Sequence, residues 1–375
     1  MLKSKTHLTS LSILTGLICL MLSCNAKPVA SVSEEDAASY ALGYKVEHCD
    51  GYTKVDIGDP WKKGRLLQRY LLVSHGRPIP EGMPAGTIIR VPIRNIVVYT
   101  AVHAAVLDEL GVTDKIVGVC EARYMKVPAV IKRIEAGLIQ DFGKASSPDI
   151  EKIITSGEEA IIASQLENGS FGSVEKTGIP IIKCTDYMET GPLGSAEWIK
   201  FLGLLIDASE RADSIFKATE MNYFRLKALA SNVTYRPKLM TEVKYGNTWY
   251  VSGGDSFMAQ VFKDAGADYI FAYLPGTGGI PLSFETVLSK AINADVWLMR
   301  YNRDIDMSYE ALRSDNVTYD SFTPFRNRHI YGCNTNFSRY YEEVPFHPDF
   351  LLEELIAIFH PDLLPEHNFR YYKPL

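Results

Sequence analysis

The stretch that decides the architecture is SAEWIKFLGLLIDASERADSIFKATEMNYFRLKALAS, Ser195 to Ser231. It contains no proline, and Gly203 is its only glycine. Trp198, Phe201, Leu202 and Leu205 recur at i, i+3, i+4 and i+7, the apolar stripe of a helix. About 37 residues at ~1.5 Å each make a rod of ~55 Å, far longer than the ordinary globular helix of about 8–20 residues. A rod of that length predicts a connection between two domains rather than an element inside one.

On both sides of it, short apolar strands alternate with helices. Before it, Asn95–Thr100, Lys115–Cys120, Ala160–Ser164 and Ile179–Cys184 read as strands. His103–Leu110 reads as a helix, and so does Asp149–Ser156, capped by Ser147-Pro148. After Pro237, strands are expected at Lys238–Val243, Tyr269–Ala272, Val296–Met299 and His329–Cys333, with helices at Phe257–Ala265, Phe284–Ala291 and Asp349–His360. Continuous apolar strands of this kind belong to parallel sheets covered on both faces. The expected fold is α/β, with two Rossmann-like lobes, each around a mostly parallel central sheet, joined by one long α-helix with a ligand cleft between them. The boundaries are 92–194 for the first lobe, 195–232 for the linking helix and 233–375 for the second lobe. Residues 24–91 read as a tether followed by a small β-rich extension, because glycine and proline punctuate short apolar runs there. The lobes also echo one another: Glu151 and Glu285 each open a helix and are followed two and three residues later by aliphatics.

The front end is different. Lys3 and Lys5 precede an apolar run from Leu11 to Leu22, which at ~18 Å is too short for a ~30 Å hydrocarbon core and reads as a signal-peptide h-region. Met21-Leu22-Ser23-Cys24 resembles a bacterial lipobox, which implies removal of residues 1–23 and lipidation of Cys24. An ordinary cleaved signal with an incidental cysteine is the alternative. The whole chain of 375 residues carries 39 basic and 45 acidic side chains, a net charge of −6. Removing the two lysines with the signal leaves −8. With no basic run, a nucleic-acid groove or a polybasic membrane patch is excluded. At 46% hydrophobic and 11% aromatic residues, so is disorder. Cys49, Cys120, Cys184 and Cys333 are scattered without a CxxC, which excludes a zinc ribbon or dithiol redox motif and leaves their pairing open.

No HExxH, GxSxG, Walker loop or complete GxGxxG is present, so nothing points to catalysis. Gly276-Thr-Gly278-Gly279 lacks the features of a phosphate loop and reads as a flexible connection. His347 and His360 stand about 20 Å apart along a helix, too far to share a metal, and no metal ligand or cofactor is assigned. Ligands of open α/β sheets sit beyond the carboxyl ends of the strands. The strand assignments put Arg123 and Tyr124 there, with Thr185, Asp186 and Tyr187. From the second lobe come Tyr245, Asn247, Trp249 and Tyr250, then Arg300, Tyr301, Asn302 and Arg303. His103 directly follows a strand and joins the candidates. Aromatics offer flat apolar area, and arginines offer planar forks for carboxylates or phosphates.

Together, a lipoprotein-like signal, two α/β lobes and one linking helix resemble a solute-binding protein of an ABC importer, in the iron-chelate and cobalamin periplasmic binding family. The resemblance runs over residues 92–362. It rests on Val98–His103 with Leu110-Gly111 and Lys115–Val119, on Gly143–Ser164, on Ala196–Gly203, and on Pro348–Ile356 with His360-Pro361. It implies a monomeric periplasmic receptor, not an enzyme, held to the membrane only by its lipid and delivering a small-molecule metal chelate to a permease dimer. In that family a glutamate on each lobe docks on the permease, and Glu151 and Glu285 stand at the matching positions. The implied cargo is a ferric siderophore or haem. A corrinoid is the alternative, although the tryptophans that cobalamin binders can carry before each docking glutamate are missing here. An anchored two-domain enzyme is a third reading, from another class.

Overall fold

The computed structural model describes residues 38–375. The signal segment, Cys24 and the tether up to residue 37 lie outside the described residues. The first lobe is built on five parallel strands in the spatial order Ile181–Cys184, Ala160–Ser164, Ile96–Val98, Ile116–Val119 and Gln140–Asp141. The second is built on Asp268–Tyr269, Lys238–Thr241, Val296–Tyr301 and Ile330–Asn334, all parallel, and closed by an antiparallel strand Lys373–Pro374. Ile96, Val97, Val98, Ile161, Ile162, Leu298 and Met299 are buried, as strands covered on both faces require. The strand expected at Tyr269–Ala272 is only Asp268–Tyr269, because the chain turns immediately through Ala272 and Leu274. The helix Ile150–Thr155 is capped by Asp149, whose carboxylate accepts from the Lys152 N–H at 3.1 Å, rather than by Ser147-Pro148.

The long rod is two helices, Pro192–Ile206 and Ser209–Ser231. The break is local chemistry. Asp207 takes the left-handed conformation at φ 61°, which the short polar side chain of Asp tolerates, and the chain folds back. Gly203 permits the fold-back: a Cβ there would stand 2.7 Å from the Ala212 methyl. The crossing from core to core is made by the second helix, with Leu193 of the first touching the second lobe's core. Ala212 and Phe216 of the second helix pack into the first lobe's core, and its Tyr223, Leu226 and Ala230 into the second's.

Residues 44–91 form a four-stranded sheet, Tyr44–Cys49, Tyr52–Gly58, Leu66–Ser74 and Thr87–Val91, antiparallel except for the last pairing. It caps the edge strand of the first lobe. The Tyr70 hydroxyl donates to the Ile181 carbonyl at 2.8 Å and accepts from the Lys183 N–H at 2.7 Å, filling groups that an open edge would leave bare. Two buried carboxylates fasten the chain leading into it. Glu197 accepts from the N–H groups of Ser39, Tyr40 and Ala41 at 3.0, 2.8 and 2.9 Å. Glu189 accepts from Leu42 and Gly43 and from the Trp198 indole.

Candidate functional site

A cavity of about 620 Å³ opens between the lobes. The first lobe contributes the turn Tyr187–Glu189, which follows the strand Ile181–Cys184. The second contributes Glu242 to Tyr245 and Tyr250 to Ser252, then Phe257, Met258, the loop Thr277–Gly279 and Arg300. Much of that wall is a separate three-stranded antiparallel sheet, Lys244–Tyr245, Thr248–Ser252 and Gly279–Leu282, inserted after the strand Lys238–Thr241. The loop at 276–279 is therefore a cavity wall rather than a free connection. It is clamped against the next turn by Gly253 N–H to Gly278 O at 2.9 Å and Asp255 N–H to Gly276 O at 3.1 Å. Gly253 is required by this approach, since a Cβ there would meet the Gly276 oxygen at 2.1 Å.

Four of the residues expected from the sequence line this cavity: Tyr187, Tyr245, Tyr250 and Arg300. Tyr187 is positioned by its hydroxyl, which donates to the Gln165 carbonyl at 2.6 Å. Tyr245 and Tyr250 stand out from the wall, 82% and 48% exposed.

The ten other expected residues lie outside this lining, and for five of them the surroundings show why. Trp249 is fully buried, its Nε1 donating to the Thr241 carbonyl at 2.9 Å among the rings of Trp297, Phe284, Tyr319 and Phe322. Alternation along the strand sends Tyr250 outward and Trp249 inward. His103 is fully buried, its Nδ1 2.6 Å from Thr100 Oγ1 and its Nε2 3.3 Å from Asp186 Oδ1. Tyr301 accepts the Met307 N–H with its hydroxyl and packs over Gly332. Arg123 and Tyr124 stack on each other at 4.5 Å on the turn after Ile116–Val119, outside the cavity lining.

The arginines are also not free to receive an anion. Arg300 forks onto Glu242, with Nε–Oε1 at 2.8 Å, and lies 5.4 Å over the Tyr340 ring. Burial works against its charge, and Glu242 holds its pKa well above the ordinary value. Arg303 pairs with Asp315, and Arg123 stands 3.6 Å from Glu121. Lys244 is the other cationic wall residue; it makes no salt bridge among the described residues, though its charge acts on Glu285. Residues missed from the sequence are Glu242, the acid that neutralises Arg300, and Met188 and Met258, two thioethers in the wall. The result is an aromatic, sulfur-containing cavity whose one guanidinium is already matched.

Glu151 and Glu285 are both exposed in the first turns of Ile150–Thr155 and Phe284–Ala291. The Glu285 carboxyl sits below its ordinary pKa because the backbone N–H and Ser283 at the helix start stabilise the anion. Among the described residues Cys49, Cys120, Cys184 and Cys333 form no disulfide.

Residues 96–336 match the family model described as periplasmic binding protein. A lipoprotein of uncharacterised function from Methanocaldococcus jannaschii is 25% identical over 325 residues, 81% of this chain and 76% of that protein. Among solved structures, a periplasmic haem-binding protein from Pseudomonas aeruginosa superposes with a TM-score of 0.56 at 17% identity, covering 72% of this chain and 93% of its own. A protein of an ABC-type ferric-hydroxamate transport system from Saccharomonospora viridis gives 0.54 at 19% identity, covering 72% and 94%. Each spans nearly the whole of its own chain and under three-quarters of this one.

Proposed function

The chain belongs to the periplasmic binding protein family, a family of solute binders rather than enzymes, and from that premise we propose that it is a lipid-anchored receptor for a metal chelate, a ferric siderophore or haem, which it hands to an ABC permease. The observation that carries this reading is the interlobe cavity walled by Tyr187, Tyr245, Tyr250, Phe257, Met188 and Met258. Flat aromatic area and polarisable thioethers suit a large, partly apolar chelate better than a small hydrophilic solute. The haem-binding and ferric-hydroxamate names of the structural neighbours point the same way. Arg300 then serves as a positioned donor already balanced by Glu242, and Lys244 as the charge left for an anionic group.

Delivery falls to Glu151 and Glu285. Equivalent exposed carboxylates, one per lobe, suit a permease dimer that presents the same basic surface twice. Cys24 supplies the anchor in this reading.

The test is an absorbance and calorimetric titration of the detergent-solubilised full chain with haem, a ferric hydroxamate and cobalamin. Saturable submicromolar binding to haem or the hydroxamate is expected, weakened ~10-fold by Tyr250→Ala, as for an aromatic anchor. Binding to cobalamin alone would replace the chelate by a corrinoid, and silence from all three would overturn the receptor reading. Glu151→Ala with Glu285→Ala should abolish uptake in cells while leaving the titration unchanged. Loss of binding in that double variant would remove the docking role.

A further inference from the structure

Three ligand-type side chains converge in the first lobe, away from the cavity. Cys184 ends the strand Ile181–Cys184, Asp186 opens the turn after it, and His103 lies in the first turn of the helix Ala101–Glu109. Their donor atoms, one nitrogen, one sulfur and one carboxylate oxygen, all lie within 4.8 Å of one another. The three residues are 0%, 1% and 2% exposed, and none of them lines the interlobe cavity.

The His103–Asp186 spacing fits a coordination shell. The His103 Nε2 to Asp186 Oδ1 separation is 3.3 Å. A charge-assisted hydrogen bond between such groups closes to ~2.7–2.9 Å. Two ligands held at ~2.0–2.1 Å from one tetrahedral ion stand ~3.3 Å apart. The second ring nitrogen of His103 is engaged by Thr100 Oγ1 at 2.6 Å, the outer-shell contact that orients a metal-binding imidazole and leaves Nε2 facing the other ligands. As the residues stand, His103 and Asp186 make a buried histidine–carboxylate pair beside the Cys184 thiol. A divalent ion would take the place of the imidazolium charge by displacing the ring and thiol protons, and would neutralise both the carboxylate and the thiolate so formed. In the same turn, the Thr185 hydroxyl is buried with no hydrogen-bond partner among the described residues.

We propose that His103, Cys184 and Asp186 form a structural metal site, selective for Zn²⁺, which locks the helix Ala101–Glu109 to the edge strand Ile181–Cys184 behind the cavity wall. Mixed S, N and O ligation suits zinc, and three protein donors leave the fourth tetrahedral position to a water. On binding, the Cys184 S–H and His103 Nε2–H bonds give way to S–Zn and N–Zn bonds and both protons leave to solvent, while Asp186 binds through one oxygen. The site is independent of the cargo.

The experiment strips the detergent-solubilised full chain with chelator and adds back Zn²⁺ or Co²⁺. Stoichiometric zinc should survive gel filtration, and Co²⁺ should give a thiolate-to-cobalt charge-transfer band. Cys184→Ser should abolish the band, and Asp186→Asn should weaken metal retention at least tenfold. Cys333→Ser, which changes a buried thiol of the other lobe, should leave both readouts intact. Circular dichroism and the cargo titration of Cys184→Ser establish that the variant is folded. No retained zinc and no band in the wild-type chain, or a band that survives Cys184→Ser, would overturn the proposal.

Discussion

His347 and Glu109 join the two lobes through a bond that pH should switch off. His347 precedes the helix Pro348–Phe359 in the second lobe, and Glu109 ends the helix Ala101–Glu109 in the first. The imidazole Nε2 lies 2.8 Å from both oxygens of Glu109, while Nδ1 is 3.8 Å from Asp349 and 3.4 Å from the Thr219 hydroxyl. The ring stacks on Phe350 at 4.5 Å and its side chain is 11% exposed. Burial alone would lower its pKa, but Asp349 and Glu109 together hold it up, to about 9 from an ordinary 6.5. At ~1.4 kcal/mol per pH unit that difference contributes about 3 kcal/mol to the folded state. A raised histidine pKa fixes the sign. The contribution is fully present below pH ~6.5 and is lost as pH rises through ~9.

The assay is urea unfolding of the wild type and of His347→Gln across pH 6 to 9.5. Glutamine can still reach Glu109 but does not titrate. The two stability curves should stand about 3 kcal/mol apart at pH 6 and converge near pH 9.5. Comparison with the variant removes the contributions of the buried tyrosines and thiols, which titrate identically in both. Parallel curves over the whole range would refute the reasoning, since no other difference between the two proteins titrates in that window.

Three further outcomes follow from the packing. Trp249→Ala should cost ~3–5 kcal/mol in chemical denaturation, the range for a large aromatic lost from a core, and acrylamide should leave the native Trp249 emission unquenched. Gly253→Ala should weaken cargo binding in the titration, because its Cβ would push against the Gly276 oxygen and displace the wall at 277–279. An unchanged affinity would mean that this loop is not part of the site. Glu197→Ala should cost ~3 kcal/mol or more by removing the charged acceptor of three backbone N–H groups. Limited proteolysis should then cut first between residues 38 and 43, and a resistant variant would show that the anchorage lies elsewhere.

The alternation of apolar strands and helices was legible because it is local: Ile96–Val98 and Val296–Tyr301 announce themselves by composition alone. The docking of the extension was not, because Tyr70 and Glu197 act on residues 111 and 153 or more positions away. The linking rod failed for a specific reason. Apolar periodicity continues through Asp207, and only the close Gly203–Ala212 approach tells that the chain has reversed. At the cavity, position after a strand picked out Tyr187, Tyr245, Tyr250 and Arg300, but could not tell which neighbour on an alternating strand faces inward, so Trp249 was taken with Tyr250. The same rule is blind to the pairing of Arg300, because Glu242, its partner, comes from the adjacent strand, 58 residues earlier. The His103, Cys184 and Asp186 cluster is hidden in the same way. Its histidine and aspartate are 83 residues apart, and no spacing rule joins them.

These contacts bear on how a cargo is captured. The helix Ser209–Ser231 runs from one core into the other without a break, so the lobes share a rigid member rather than a loop hinge. Two further bonds cross between lobes, His347 to Glu109 and the Lys126 N–H to Glu342 Oε1 at 2.6 Å. Wide opening would have to break both and bend that helix. The freedom at the cavity lies instead in its side chains: Tyr245 and Tyr250, 82% and 48% exposed, line it unheld among the described residues, while Tyr187 is tied to the Gln165 carbonyl. A tyrosine buries ~150–250 Å² when it is fully covered, at the cost of fixing only two rotatable bonds. Closing these rings over a bound solute gains apolar contact and leaves the interlobe bonds intact. Capture by tyrosine rearrangement on a fixed frame is what this arrangement of rigid backbone and exposed rings favours.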